Sequence, residues 1–212
     1  MTDFSTIKKL FHIAEPHGFS NDEIQIVKNA FGNLPEVFVD YYTELGKIFK
    51  LNQSQDSLVT ADRLINYATD EYLIFYTENQ RACVWGIHKD DLSKPNPPVY
   101  MSYDEKEWNL ETETLIDFFT AMAYLQAGFA LDFTSEGFYE LDDKEINFII
   151  DNFKNKGYSL TQWLCGINFY GNYDDDVIVV ESTNTNQIFY SANSKEHFDE
   201  MDKVLSKLGT EL

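Results

Sequence analysis

Residues 78–92 read ENQRACVWGIHKDDL and bring together the side-chain types from which active sites are built. Glu78 and His88 belong to the types that act as general acids and bases. Cys83 carries a thiol, the group that serves as a nucleophile, and Arg81 carries an anion-binding guanidinium. Whether these groups form a site depends on the element that positions them.

The alternation of this stretch predicts a buried strand and a turn. Successive side chains of a strand point to opposite faces, so Cys83, Trp85 and Ile87 share one face. The residues between them are small or apolar, which indicates that both faces are covered. Gly86 would allow a neighbouring element to approach closely. Residues 78–80 are then turn residues that hydrogen-bond their own backbone.

Other groups of polar residues lack the spacing that chemistry requires. Calcium loops alternate their oxygen ligands, whereas Asp174, Asp175 and Asp176 are consecutive, which is typical of a charged hairpin tip. His12 and His17 are separated by a proline and do not share a helix face. The sequence contains neither a phosphate-binding glycine loop nor a G-x-S-x-G motif. We therefore expect no catalytic residue, no metal site and no cofactor.

The elements of the first half are two helices followed by strands. Ser20 and Glu23 form a capping box before a helix that Gly32 ends, and Pro35 takes the first position of the next helix. Short β-branched and aromatic runs then predict strands at residues 71–78, 81–88, 97–104 and 106–111. The largely apolar residues 112–131 predict a helix that packs across the sheet.

The second half again combines helices and strands. Asp142 and Glu145 form another capping box, and Gly157 is the predicted end of that helix. Its inward stripe is predicted to be Ile146, Ile149, Ile150 and Phe153. Three antiparallel strands with turns at 171–175 and 183–186 are predicted at residues 163–170, 176–182 and 186–192. With a final amphipathic helix, this order predicts an α+β fold: a mostly antiparallel central sheet flanked by helices.

Length and composition predict one domain that spans residues 1–212. The chain is 43% hydrophobic, which is sufficient for a packed core, and no flexible linker interrupts it. Its apolar runs are far shorter than the roughly 20 residues that cross a membrane, and its start has no secretory apolar stretch. We therefore expect a cytoplasmic protein that does not enter membranes. Cys83 and Cys165 are far apart and are predicted to be buried free thiols.

The order of these segments resembles the SMI1/KNR4 family, also called the SUKH superfamily. A capped helix precedes LPEVFVDYYTELG, and YLIFYTENQRACVWGI, NPPVY, the tryptophan of KEWNLE and the helix opening TLIDFF follow. The resemblance covers residues 19–119 and departs at LGKIFKLNQSQ, where family members often have a glycine pair. The residues that match motif positions of the family are Pro35, Glu78, Asn79, Gln80, Trp85, Gly86, Pro98 and Trp108.

The resemblance implies a SUKH-like single domain with a recognisable core at residues 19–130 and an extension of the same domain at 131–212. Many bacterial members look like immunity proteins, which neutralise polymorphic toxins that are often nucleases. Eukaryotic relatives regulate cell-wall synthesis. The family has no invariant catalytic residue, so the resemblance implies protein binding and no enzymatic activity.

The charge of the chain sharpens this hypothesis. The sequence has 36 acidic and 16 basic residues, a net charge of −20, and no lysine or arginine between Glu107 and Asp143. Such a surface repels phosphate backbones and attracts basic partners. We therefore expect that the chain does not bind nucleic acid directly. We expect a basic protein partner, and carboxylates of this chain could cover the surface with which that partner binds phosphate.

The favoured hypothesis is a cytoplasmic immunity protein that binds a basic toxin domain stoichiometrically. The carboxylates predicted to form the toxin interface are Glu107, Glu111, Glu113, Asp117, Glu136, Glu140, Asp142, Asp143, Asp174, Asp175 and Asp176. The alternative is a regulatory or scaffold protein of the same fold that binds a host signalling or envelope-synthesis protein. A small-molecule binder or an enzyme, with a cleft lined by tyrosines, is the third hypothesis.

Overall fold

The computed structural model describes residues 2–182 and 185–212, apart from the side chain of Cys165. The predicted burial of the Cys165 thiol lies outside the described residues, and so does the first half of the turn predicted at residues 183–186. Cys83 is a buried free thiol, as predicted. Its burial raises the pKa of the thiol well above the ordinary value.

The chain divides into two compact units. Unit 1 contains residues 2–4 and Ala14–Phe119, and unit 2 contains Ser5–Ile13 and Thr120–Leu212. The single domain expected from the sequence stays a prediction.

Helices and strands are numbered in chain order. The α-helices are α1 (Ser5–Leu10), α2 (Asn21–Phe31), α3 (Glu36–Glu44), α4 (Phe49–Asn52), α5 (Leu64–Tyr67), α6 (Leu115–Ala130), α7 (Asp143–Asn152) and α8 (Lys195–Leu205). The strands are β1 (Ser57–Leu58), β2 (Tyr72–Thr77), β3 (Val84–His88), β4 (Val99–Ser102), β5 (Asn109–Thr112), β6 (Phe133–Thr134), β7 (Tyr139–Leu141), β8 (Lys154–Leu160), β9 (Ile167–Gly171), β10 (Asp176–Ser182), β11 (Asn186–Ala192) and β12 (Thr210–Glu211). Over the described residues, none of the helices is both long and apolar enough to cross a membrane.

The described strands of unit 1 form one antiparallel sheet in the order β1-β2-β3-β4-β5. The last four of these are the strands that the sequence predicts. The capping box of Ser20 and Glu23 is present, and Gly32 ends α2 with a φ of 78°. Pro35 is the N-cap of α3 and stands one residue before its predicted position, because α3 begins at Glu36.

The core of unit 1 is rich in aromatic rings. Trp85 of β3 is fully buried, and its ring lies 5.9 Å from the ring of Phe118 in α6. The neighbouring Phe119 ring stacks on Tyr41 of α3 at 3.7 Å. The start of α6 therefore packs on the sheet of unit 1, as its apolar composition predicts.

Residues 78–88 form the turn that follows β2 and the strand β3, which together with β2 make a hairpin. The Glu78 carboxylate accepts hydrogen bonds from the backbone N–H groups of Gln80 and Ala82 at 2.8 and 2.9 Å, which fixes the turn. A Cβ atom on Gly86 would lie 3.2 Å from the Trp108 ring, so the glycine permits the close approach that the sequence predicts. These side chains stabilise the hairpin, and the Glu78 carboxylate accepts hydrogen bonds from the backbone of its own turn.

The described strands of unit 2 form a second antiparallel sheet in the order β12-β7-β11-β10-β9-β8, and β6 pairs with β11. The α+β class is therefore confirmed, whereas the strands are shared between two sheets instead of one central sheet. The sequence predicts β10 and β11 closely. β9 begins at Ile167, because residues 163–165 form a short 3-10 helix, and β8 was not predicted.

Helix α7 confirms one local prediction and corrects two others. Asp142 and Glu145 form the predicted capping box. Ile150 is 48% exposed whereas Ile149 is fully buried, because adjacent residues lie about 100° apart around a helix axis. The helix ends at Asn152, and Gly157, with a φ of 81°, lies within β8, where the pairing with β9 shifts register.

Both faces of the sheet of unit 2 are covered. On one face, Ile178 and Val180 belong to a buried cluster with Ile149 of α7 and Met201 of α8. On the other face, a Cβ atom on Gly128 of α6 would lie only 2.4 Å from the Phe189 ring. Gly128 therefore lets α6 lie close against the strands.

Candidate functional site

A group of exposed carboxylates lies where β7 meets α7. Tyr139 and Leu141 point into the core of unit 2, so the residue between them, Glu140, points outward. Asp142 then caps α7, and Asp143 is the first residue of the helix. Strand alternation followed by a helix start therefore presents these carboxylates to solvent in sequence.

Glu140 and Asp142 border an open depression of about 510 Å³ in unit 2. Glu140, Asp142 and Glu145 contribute its carboxylates, and Gly209 and Thr210 form another part of its wall. Two of the carboxylates accept hydrogen bonds from nearby backbone N–H groups. Asp142 accepts from the N–H groups of Lys144 and Glu145, and Glu145 accepts from the N–H groups of Asp142 and Gly209. The Glu140 carboxylate accepts no such hydrogen bond among the described residues.

We call the exposed carboxylates Glu136, Glu140, Asp142 and Asp143 the β7–α7 surface. In the described part of the chain, no lysine or arginine forms an ion pair with any of these four. The positive end of the α7 dipole stabilises negative charge at Asp142 and Asp143. Carboxylates in this state accept lysine ammonium groups singly and arginine guanidinium groups in pairs of hydrogen bonds.

Glu111 is buried, which corrects the surface position expected for it, and its predicted role in an interface stays a prediction. It is only 2% exposed, and its Oε2 accepts a hydrogen bond from the indole Nε1 of Trp85 at 3.0 Å. A buried indole N–H needs an acceptor, and Glu111 of β5 provides it for β3. Strand alternation places Trp85 in the core, and the Glu111 carboxylate is buried beside it as the hydrogen-bond acceptor of its indole.

The three consecutive aspartates have three different environments, and two of them do not form an exposed tip. Asp174 is exposed and pairs with Lys9 at 2.9 Å, which lowers the pKa of the carboxyl. Asp175 is 7% exposed, and Asp176 is fully buried with Lys156 at 2.8 Å. The exposed hairpin tip expected for Asp175 and Asp176 is therefore corrected, because tertiary partners contact both carboxylates, and their predicted role in an interface stays a prediction.

The remaining predicted carboxylates lie in unit 1. Glu107 and Glu113 are exposed. Asp117 is partly buried, and its Oδ2 accepts a hydrogen bond from the Thr114 hydroxyl at 2.6 Å at the start of α6. Glu107 and Glu113 are thus available to a partner, whereas Asp117 also serves its own helix.

Sequence reasoning missed a cluster of histidines around Asp175. His197 Nδ1 lies 2.6 Å from Asp175 Oδ1, and His12 Nε2 lies 3.7 Å from Oδ2. The Tyr173 ring stacks on the His197 ring at 3.6 Å. These residues border an open depression of about 590 Å³ together with Lys9. No local pattern could reveal this cluster, because the two histidines stand at opposite ends of the chain.

No family model, curated protein or solved structure matches this chain. The membership of the SMI1/KNR4 family that the motifs suggest stays a prediction. The motif residues nonetheless have clear structural places in unit 1. Asn79 donates its backbone N–H to Asp56 at 3.3 Å, and the Trp108 ring stacks on Tyr72 at 4.0 Å. Pro98 directly precedes β4.

Over the described residues, no group of three or more histidine, cysteine or acidic side chains is placed to hold a metal ion. The candidate site is an open, acidic surface. The β7–α7 surface is the part of the predicted interface whose members are all exposed and close to one another in the chain.

Proposed function

We propose that this protein is an immunity protein of the cytoplasm, which binds a basic toxin domain stoichiometrically through the β7–α7 surface. The exposed carboxylates Glu136, Glu140, Asp142 and Asp143 carry the proposal, because the described basic residues do not neutralise them. A basic domain, such as a nuclease that grips phosphates, would meet carboxylates where phosphates otherwise lie. The net charge of −20 would accelerate the encounter at low salt.

The direct test is a binding and rescue experiment with the product of the neighbouring gene, which the proposal expects to be the toxin. We expect the two proteins to co-purify in equal amounts and expect co-expression to restore growth of cells that produce the toxin. Failure of both assays contradicts the proposed function. Co-purification of a host signalling or envelope-synthesis protein instead would support the regulatory alternative.

The surface itself is tested by the double variant Glu140→Lys, Asp143→Lys. We expect at least about tenfold weaker toxin binding and a shallower salt dependence, because two attractive charges become repulsive. Asp142 is left intact, since loss of this N-cap would cost about 1 kcal/mol of stability and obscure the result. Isothermal titration calorimetry at two salt concentrations measures both quantities.

The matched control is Glu107→Lys, Glu113→Lys. It changes the net charge by the same amount at two exposed carboxylates of unit 1. We expect a change in affinity of less than about twofold for this control. Equal losses from both double variants would show that net charge alone governs binding and would contradict the role of the β7–α7 surface.

An acid–base enzyme is a second candidate, because one observation favours it. The Asp175 carboxylate orients the His197 imidazole at 2.6 Å beside an open depression, which is the arrangement of a general base. In that case His197→Asn would abolish turnover of the substrate. An immunity protein that acts through the β7–α7 surface would instead keep its affinity for the toxin after this substitution.

A further inference from the structure

A narrow groove lies between α7 and α8 on the surface of unit 2. Its volume is about 230 Å³, which suits one large side chain. Phe148 and Phe153 form the α7 side, and Met201 and Val204 form the α8 side. Tyr173, from the turn between β9 and β10, closes one end. Five of its nine lining residues are therefore apolar or aromatic, and the other four are Asn152, Asn172, Asp176 and Glu200.

Two rings of this groove are partly accessible to solvent. Phe148 is 37% exposed and Tyr173 is 39% exposed, whereas their neighbours Ile149 and Met201 are buried. Burying an aromatic ring is favourable by about 25 cal/mol for each square ångström of apolar surface removed from water. A partner that covers the rings of Phe148 and Tyr173 would gain this free energy, which the folded chain alone leaves unused.

The rim of the groove is negatively charged. Glu200 lines the groove, and its Oε2 accepts a hydrogen bond from the Tyr173 hydroxyl at 2.8 Å. This hydrogen bond raises the pKa of Tyr173, and the charges of Asp176 and Glu196 act in the same direction. Lys156 offsets the charge of Asp176 through its ion pair. Glu200 and Glu196 therefore remain to attract a cation to the edge of the apolar groove.

From these contacts we infer that the groove between α7 and α8 binds one apolar side chain of a basic protein partner, presented next to a lysine or arginine. The inference rests on the proposed function, since it names the anchor of the same toxin complex. Interfaces draw most of their binding free energy from a few aromatic or arginine side chains in closed pockets. The β7–α7 surface would attract the partner, and the groove would hold it.

Three indole compounds test the groove without the toxin. Tryptamine has an indole and a positive charge, indole has no charge, and indole-3-acetate has a negative charge. Each is titrated into the full chain at pH 7, and binding is followed by NMR chemical shifts. We expect saturable shifts at Phe148, Asn152 and Val204. Tryptamine should bind at least about threefold more tightly than indole, and indole-3-acetate most weakly, because of the acidic rim.

Two matched substitutions on one helix locate the site. Phe148→Ala removes a ring that lines the groove, whereas Ile150→Ala removes an exposed side chain of the same helix outside it. Phe148→Ala should weaken tryptamine binding by about threefold or more, and Ile150→Ala should change it by less than about twofold. Glu200→Gln should reduce the advantage of tryptamine over indole-3-acetate and leave indole unchanged.

The inference is overturned if the three compounds bind equally, if no saturable shift occurs at the groove, or if Phe148→Ala and Ile150→Ala have equal effects. None of these results bears on the toxin assays of the β7–α7 surface, which test the proposed function separately. If the toxin binds the wild type, Phe148→Ala should also weaken that complex more than Ile150→Ala does. If the toxin binds neither the wild type nor any variant, the proposed function is contradicted, and not only the role of the groove.

Discussion

Replacing Lys156 with methionine is expected to lower the free energy of unfolding by about 3 kcal/mol, because it leaves a buried carboxylate without its cation. The side chain of Asp176 is fully buried and that of Lys156 is 9% exposed, with Nζ and Oδ1 only 2.8 Å apart. Asp176 also accepts from the N–H groups of Asn172 and Tyr173, so it would stay fixed after the substitution. Urea unfolding at pH 7 measures the loss.

Two further variants make this result specific. Lys195→Met removes the cation of the exposed pair with Asp199, whose side chains are 67% and 57% exposed, and should cost less than about 0.5 kcal/mol. The double variant Lys156→Met, Asp176→Asn should recover part of the stability, because asparagine carries no charge and keeps one of the two oxygens that accept from backbone N–H groups. A loss for Lys156→Met no larger than that for Lys195→Met would contradict the buried pair.

The second large effect is a fall in stability as the pH rises from about 4 to about 7, caused by Asp56. Burial raises the pKa of Asp56 from 3.8 to about 7; the Asn79 N–H opposes this and the charge of Glu78 adds to it. Between these values the folded chain holds a proton that the unfolded chain has released. The stabilisation is therefore complete below the lower pKa and is lost as the pH rises through the upper one.

Asp56→Asn isolates this contribution. The variant should match the wild type near pH 4 and exceed its free energy of unfolding by up to about 4 kcal/mol above pH 7, because the buried residue no longer ionises. Denaturant unfolding across this pH range measures the difference. Asp62→Asn, at an exposed carboxylate of unit 1, is the control and should leave the pH dependence unchanged. Parallel curves for Asp56→Asn and the wild type would exclude Asp56 as the cause.

Local signals in the sequence predicted local structure well. Both capping boxes formed, because the side chain at the N-cap and the one three residues later meet whenever a helix begins there. Strand alternation likewise placed Trp85 in a core and the carboxylate of Glu78 in a turn. The predicted ends of helices were less accurate. Helix α7 ends at Asn152 without a glycine, and strand β8 begins two residues later.

The environment of individual carboxylates could not be predicted in the same way. Charge counting treats every acidic residue as solvated, yet Glu111, Asp175 and Asp176 are buried by partners distant in the chain. Lys156 pairs with Asp176 across two strands, and no spacing rule links them. The β7–α7 surface was more predictable, since neighbouring residues supply it. The groove between α7 and α8 could not be predicted from the sequence, because its walls come from separate elements.

The segment Ser5–Ile13 has a consequence for synthesis on the ribosome. Lys9 pairs with Asp174, and the Leu10 carbonyl accepts from Asn193, so these partners emerge 165 and 183 positions later. The continuous stretch Ala14–Phe119 of unit 1 can fold before then. Helix α1 is thus translated before the other described helices and is packed after most of them. A nascent chain that stalls before residue 174 would leave α1 without these contacts, open to chaperones and proteases.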